Sequence, residues 1–506
     1  MNFIEIENNP GKVKISGIPL LEYPVFLSEM DELFKDESNH CLTYFAYSLS
    51  DRFKFICCIG CDETGSIRIF SHDQEKKDGI NIESLTKKHF QFHLFEREIH
   101  ENLGVNFEGH PWLKPVRYPF DRADHRRIMN NYPFYSINGE ELHEVGVGPI
   151  HAGIIEPGYF RFICNGEKVL HLEIQLGYQH RGLEHLMVSK KSLLQKTLLS
   201  ESIAGDTVIG HSLCHAGLME IMAGINVSDQ LNLERIIALE LERIAIHIGD
   251  TAALCTDIAY QFGQVVNEAL RTIVINTMQF WCGNRFGKGF IRPGGSNYPL
   301  DADTIRKILD NLKEVEERYL QMTGRLFSMP SVLSRFEGVG KVTYAQVSMI
   351  GAVGMAARSS GLKRDVRGSH PFPCFKDTPY DPVILHKGDV LSRVLLRKME
   401  LEKSIALIRD LIGLIQKQQD AFPVLKPTYR LNLDPGTLAI SLVEGWRGEI
   451  CHTCITDDNG NLMHYKVKDP SFHNWMALAL AVRGQEISDF PLCNKSYNLS
   501  YCGHDL

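Results

Sequence analysis

The feature that most constrains this chain is a change of hydrophobic period near residue 180. Downstream of it, the stretches 183–223, 231–260, 265–282, 302–327, 344–360 and 390–421 all carry apolar residues at helical spacing. Six long helices are expected to pack as a bundle. Immediately upstream, two β-like runs at 159–164 and 168–176 flank Asn165-Gly166, a strong two-residue hairpin signal. Near the end, runs at 436–442, 448–455 and 462–467, with Asp457-Asp458-Asn459-Gly460 as a turn, predict a small terminal sheet.

The first part reads differently. A helix over 24–34 precedes β-rich runs at 41–48, 53–59 and 66–70, the last after the turn Asp62-Glu63-Thr64-Gly65, and a second helix is predicted over 82–103. Gly104, Gly109, Pro111, Pro115 and Pro119 then break regular structure. The 506 residues allow two to four domains. The expected fold class is α+β: a small N-terminal α/β domain over residues 1–125, then a helical-bundle domain with small β-sheets over 126–506.

Charge and leader-like segments narrow the class of function. Lys plus Arg number 54 against 62 Asp plus Glu, a net charge of -8, which offers no general attraction to phosphate backbones, so nucleic acid is not expected as a partner. Residues 1–11 carry Glu5 and Glu7 and no apolar stretch of signal-peptide length, and the longest uncharged apolar runs, such as 475–482, fall short of the roughly 18 to 20 residues of a spanning helix. A cytoplasmic chain that meets a membrane only through partners is expected. Thirteen scattered cysteines fit reduced thiols better than a disulfide framework.

Several motifs carry chemistry. No GxGxxG follows a strand and no GxxxxGK[ST] occurs, so the chain is not expected to hold a dinucleotide itself. Two CxxC pairs, Cys58/Cys61 and Cys451/Cys454, would close a zinc or iron-sulfur site if the chain ends met; as cysteines in strands they read better as small buried hydrophobes. The Gly/Pro-rich loop 148–158 presents His151 and Glu156. His180 and Arg181 stand at a predicted helix start, where they would face an anion or a redox centre. Glu240, Arg243, His247 and Asp250 share one face of an apolar helix, either a solvated stripe or a buried hydrogen-bonded seam.

Taken in order, these strings resemble one family. The stretch 95–111, ending in Gly109-His110-Pro111, is similar to the signature of the 30 kDa subunit of respiratory complex I. GPIHAGIIEPG at 148–158, QHRGLEHL at 179–186, ELERIAIHIGD at 240–250, RPGG at 292–295, SGLKRDVRGSHPF at 360–372, DPSFHNW at 469–475 and NKSYNLSYCGHDL at 494–506 resemble the 49 kDa subunit in its hydrogenase-like form, the large subunit of group 4 membrane-bound [NiFe] hydrogenases. The resemblance covers nearly the whole chain.

What it implies is a peripheral-arm subunit of an energy-converting oxidoreductase complex. Its partners would be an iron-sulfur small subunit, which holds the cluster, and antiporter-like membrane subunits, on the cytoplasmic face of the inner membrane. In the hydrogenases of this family nickel and iron sit on two CxxC pairs. Here Ala204 and Thr207 occupy the early pair, and the late pair maps to Cys502 and Asp505. A nickel-iron centre needs several soft thiolates, so nickel and hydrogenase activity are not expected. The quinone-reducing branch offers a loop His and a helix Tyr to the headgroup; this chain has His151 but no tyrosine at the second place, and quinone stays open as an acceptor. In a redox subunit of this kind His151, Glu156 and His211 are expected to be catalytic, with His151 and Glu156 as proton carriers, His180 and Arg181 to tune the partner's cluster, and Glu240, Arg243, His247 and Asp250 to form a polar relay. His151, Glu156, Arg181 and His211 are expected to converge on one concave site. A scaffold or gating subunit without chemistry is the alternative. Either way, a face including 213–225 is expected to be left for the partner.

Overall fold

The computed structural model describes residues 2–77, 79–137, 139–151, 155–372, 380–417 and 425–506. Short β-forming runs near the N-terminus build β1 (Ile4–Ile6) and β2 (Gly11–Lys14), then α1 (Tyr23–Leu33) and three ten-residue strands, β3 (Asn39–Ser48), β4 (Arg52–Cys61) and β5 (Ser66–Glu75). They form an antiparallel sheet in the order β1-β5-β4-β3. The helix expected over 82–103 is shorter: β6 (Asn81–Glu83) comes first, and only α2 (His93–Leu103) is α-helical, closed by Gly104 at φ 73°. β6 pairs in parallel with β7 (Asn106–Glu108).

The hairpin at Asn165-Gly166 forms as read, with β8 (Leu142–Val147), β9 (Tyr159–Asn165) and β10 (Lys168–Gln175) in one antiparallel sheet. The stretch 183–223 is three helices, not one: α3 (Leu183–Ser189), α4 (Leu193–Ser200) and α5 (Val208–Ala223). Long helices follow as α6 (Asp229–Asp257), α7 (Gln261–Cys282) and α8 (Ala302–Leu326), then the short α9 (Pro330–Phe336). The stretch 344–360 also splits, into α10 (Tyr344–Met349) and α11 (Gly354–Arg358), because Gly351 and Gly354 take positive φ at the break. α12 (Val366–Ser369) and α13 (Val390–Lys417) complete the bundle; the expected continuation of α13 to 421 lies outside the described residues.

The terminal sheet is central, not peripheral. Every residue of β11 (Thr437–Glu444) and β12 (Glu449–Thr456) is buried. With β13 (Leu462–Lys468), the sheet runs β13-β12-β11-β2, so a strand from the first fifteen residues completes it. One face packs on the N-terminal sheet through Leu42, Phe45, Ile56 and Cys58 against Leu438, Ile440 and Cys451. The other meets α5, whose residues from Leu213 to Glu220 are all buried. The 213–225 region is therefore mostly core and is not a face left for a partner. Three helices end the chain: α14 (Ser471–Val482), α15 (Phe490–Tyr497) and α16 (Tyr501–Asp505). Phe472 of α14 inserts into the apolar core of the N-terminal part, beside Phe95. Strand and core are thus shared across residue 125.

Side chains alternate along a strand, so residues three apart project to opposite faces. Cys451 accordingly packs with Cys58 on one face of β12, and Cys454 packs with Met219 and Tyr465 on the other. A site closed by both CxxC pairs is ruled out by that geometry. No helix among the described residues is long and apolar enough to cross a membrane.

Candidate functional site

The C-terminal segment is held by the turn that leaves β10. The Asp505 carboxylate accepts the backbone N–H of Gly177 at 2.8 Å and of Gln179 at 2.9 Å, and the His504 Nδ1–H at 2.9 Å. The Asp505 carbonyl takes the His180 Nδ1–H at 2.7 Å, and the Leu506 carbonyl takes the Arg181 N–H at 2.7 Å. Gly182, at φ 66°, then opens α3 in a left-handed conformation that glycine adopts without strain. The Arg181 guanidinium donates to the carbonyls of Ser202 at 2.6 Å, Ile203 at 2.9 Å and Cys502 at 3.2 Å. One side chain therefore clips the 202–203 turn to the C-terminal helix, joining the two segments that carry Ala204, Thr207, Cys502 and Asp505.

Those four positions are not a metal site. Ala204 is buried without a donor atom, and the Thr207 hydroxyl lies 3.1 Å from Asp206 and accepts from Arg447 at 3.2 Å. Arg447 itself grips Asp206 through two bonds of 2.7 and 2.6 Å and lies over the Trp446 ring. Asp505 is saturated by the three donors above. Only Cys502 offers a thiol, and among the described residues no group of three His, Cys, Asp or Glu is placed to hold a metal ion. Nickel does not fit this donor set.

Cys502 is nonetheless special. Among the described cysteines it alone is not buried. Glu156, from the 148–158 loop, faces it: burial, then the adjacent Glu156 carboxylate, push the thiol up to about 11, and the same two influences raise Tyr501 to about 12. His151 stays on the loop, its Nε2 3.2 Å from the Gly158 carbonyl. Gly158 in turn abuts the Tyr501 ring so closely that a Cβ there would lie 2.6 Å from it. Residues 152–154 of the loop lie outside the described residues. Glu156 and Arg181 thus meet at Cys502, while His151 is one contact removed.

His211 enters from behind. Its Nε2 is 3.0 Å from Asp469, and Asp469 lies against Gly503, where a Cβ would come within 2.7 Å of the carboxylate. Burial alone would raise the Asp469 carboxyl, but the His211 bond and the Arg447 charge outweigh it and hold it below the usual range. On its other side, His211 Nδ1 is 3.1 Å from His452 Nε2; His452 Nδ1 is 2.9 Å from the Tyr465 hydroxyl, which is 3.0 Å from His215 Nδ1. All five residues are buried. Of these, sequence reasoning finds only His211: Asp469 stands within a family-like motif, and nothing local marks His452 inside Cys451-His-Thr-Cys454.

The predicted relay on α6 is buried, but its members face different partners. Glu240 and Arg243 bond each other at 2.9 Å, His247 reaches Glu400 at 2.9 Å, and Asp250 reaches Arg397 at 2.8 Å and Asn498 at 2.6 Å. Arg358 binds Asp365 at 3.0 Å, Glu400 at 2.5 Å and Glu444 at 2.7 Å, and Arg367 binds Asp365 at 2.7 Å, Glu400 at 3.3 Å and Glu240 at 3.5 Å. The stripe is one wall of a cross-helix ion cluster whose other wall comes from α11 to α13 and β11. Only the bundle could bring those partners together.

Comparison with known proteins matches two stretches of the chain to two families. Residues 22–132 match the family described as the 30 Kd subunit of respiratory-chain NADH dehydrogenase, and residues 259–505 match that of its 49 Kd subunit. The carbon monoxide-induced hydrogenase of Rhodospirillum rubrum is 29% identical over 349 residues, 69% of this chain and 95% of that protein. Membrane-bound hydrogenase subunit alpha of Pyrococcus furiosus is 28% identical over 359 residues, 68% and 83% of the two chains. NADH-quinone oxidoreductase subunit 4 of Thermus thermophilus is 25% identical over 377 residues, 69% and 90% of the two. A chain of the membrane-bound sulfane sulfur reductase, an archaeal respiratory membrane complex, superposes with a TM-score of 0.66 at 21% identity, covering 74% of this chain and all of that one. That likeness shows the fold.

Proposed function

The chain belongs to the family that joins a complex I 30 kDa-type domain to a 49 kDa-type domain, shared with group 4 membrane-bound hydrogenases, and from that premise we propose that it is the large peripheral-arm subunit of a membrane-associated, energy-converting oxidoreductase complex. In this reading residues 1–125 and 126–506 are the two ancestral units. An iron-sulfur small subunit brings electrons to the cavity at Cys502, antiporter-like membrane subunits move the ion, and the arm stands on the cytoplasmic face of the membrane. The acceptor is a quinone or another small oxidant, not protons on nickel.

The observation that carries this reading is the pairing of Glu156 with Cys502 at the position where the family's metal would sit. A thiol raised to about 11 is protonated at neutral pH, and the Glu156 side chain faces it, so the pair can hand a proton to a bound acceptor as electrons arrive. Arg181 adds positive charge and His180 a hydrogen-bond donor beside the same segment, which suits an electron-accepting site. The ion cluster around Glu240, Arg243, His247 and Asp250 would carry the electrostatic response away from the cavity.

A scaffold without chemistry draws on a different observation: Asp505 and Thr207 are committed to internal hydrogen bonds, as residues retained for packing would be. One experiment separates the two. The native complex is purified and reduced, and reoxidation of its clusters by an added quinone or other oxidant is followed optically, in wild type and in Glu156→Gln. Reoxidation that slows in Glu156→Gln supports an active cavity; clusters that stay reduced with every acceptor, or a Glu156→Gln complex identical to wild type, leave the scaffold.

A further inference from the structure

We propose that Asp469, His211, His452, Tyr465 and His215 form a proton wire that runs along the sheet-facing side of α5 toward the segment holding Cys502. The proposal rests on the reading that the cavity is reduced, and it deepens that reading by naming the route of the proton.

The direction follows from hydrogen-bond accounting. Asp469 is ionised and can only accept, so His211 Nε2 must carry a hydrogen and donate to it at 3.0 Å. Where His211 is a neutral imidazole its other nitrogen is an acceptor, so His211 Nδ1 takes a hydrogen from His452 Nε2 at 3.1 Å. His452 Nδ1 is left as an acceptor and takes the Tyr465 O–H at 2.9 Å. The Tyr465 oxygen, its hydrogen already committed, accepts from His215 Nδ1–H at 3.0 Å. His215 Nε2 ends the chain as a buried lone pair with no hydrogen-bond partner among the described residues. Five buried groups therefore point every hydrogen the same way. A random set of tautomers would put two donors or two acceptors face to face somewhere along the line.

Such a line conducts one proton per passage. A proton binds His215 Nε2; His215 Nδ1 releases its own to the Tyr465 oxygen, and the tyrosine hydrogen passes to His452 Nδ1. His452 Nε2–H goes to His211 Nδ1, and His211 Nε2–H goes to Asp469. One proton is taken up at His215 and one arrives on Asp469, no electron moves, and once Asp469 has given it up rotation of the rings restores the starting state. Burial, with the charges of Lys196 and Arg292, lowers His215 to about 3, and burial with the flanking histidines holds His452 well below the usual range, so these two rings are neutral at rest and pass protons without storing them.

Both ends are buried, and His215 lies one helical turn from Met219, which lines an open cavity. Lys196, whose charge acts on His215, lines an open cavity of about 710 Å³ together with Lys190, Lys191 and Arg430, from which water supplies the proton. Asp469 abuts Gly503, next to Cys502.

Two measurements test the wire in the intact complex. In the first, nitrogen-15 histidine labelling with magic-angle-spinning NMR reads the tautomers of the resting wild-type protein. His211 and His452 are expected as neutral Nε2–H forms and His215 as the neutral Nδ1–H form; a cationic ring, or the opposite tautomer at His452, overturns the proposal. In the second, Tyr465→Phe keeps the ring and removes the relay atom. Proton uptake on reduction, followed with an indicator dye, is expected to slow about tenfold or more while reduction of the partner's cluster is unchanged. Unaltered uptake overturns the wire. If the wild-type complex takes up no proton on reduction, the functional reading fails, and the tautomer pattern alone decides whether the wire exists.

Discussion

The Asp505 carboxylate accepts the Gly177 N–H at 2.8 Å, which makes the residue that the resemblance sets at the last metal-ligand position a structural acceptor for the turn leaving β10. With Ala204 and Thr207 at the early pair, a single thiol remains. The purified complex is therefore expected to contain no stoichiometric nickel by elemental analysis and to show no hydrogen uptake; one nickel per chain would contradict the donor geometry. Asp505→Ala, which strands two backbone N–H groups, is expected to cost about 2–4 kcal/mol of stability.

The thiol of Cys502 provides a local electrometer. Removing the Glu156 charge while keeping its shape, in Glu156→Gln, is expected to lower the thiol from its value of about 11 by roughly one unit, because the carboxylate disfavours the thiolate. The pH dependence of alkylation at Cys502 reads this directly. A midpoint that stays put would separate Glu156 from the site.

The ion cluster holds three guanidiniums, Arg243, Arg358 and Arg367, against four carboxyls, Glu240, Asp365, Glu400 and Glu444, so one carboxyl is left to hold a proton. Burial, with Asp365 nearby, raises Glu444 to about 7, whereas Glu400 is held well below the usual range because Arg358 and His247 outweigh its burial. Glu400→Gln is expected to cost about 3–5 kcal/mol by leaving Arg358 underpaired, and Glu444→Gln less than half of that. Glu444 is raised in the folded protein, so its contribution is complete below about pH 4.5 and is lost as pH rises through about 7, at most about 3 kcal/mol. Urea titrations between about pH 5 and 8 should show that loss in wild type and a flatter profile in Glu444→Gln.

At Gly503 the space is already taken. A Cβ would stand 2.7 Å from the Asp469 carboxylate, so Gly503→Ala is expected to displace Asp469 from His211 and to lower stability by about 1–3 kcal/mol. Thermal unfolding checks the cost; a crystal structure of the variant with the 3.0 Å His211–Asp469 contact intact would refute the steric account.

Local order determined much of this protein. The hairpin at Asn165-Gly166, the long helices α6, α7, α8 and α13, and the three strands of the terminal sheet follow from period and turn chemistry, which act over a few residues. The collinear motifs likewise carried the resemblance to complex I and hydrogenase subunits and, through it, drew attention to Ala204 and Thr207. Tertiary structure decided the rest. β2 joins β11 across more than four hundred residues, which no local pattern encodes. The burial of α5 followed from the sheet that covers it, because its polar residues His211 and His215 face that sheet and so do not mark a solvent side. Glu240, Arg243, His247 and Asp250 looked like one relay because a helix puts them on one face; their partners came from other elements, since a buried charge is tolerated only where the fold delivers its counter-charge. His452 and Tyr465 stayed invisible for the same reason: a hydrogen-bonded line is a property of distances between side chains, and only packing sets those.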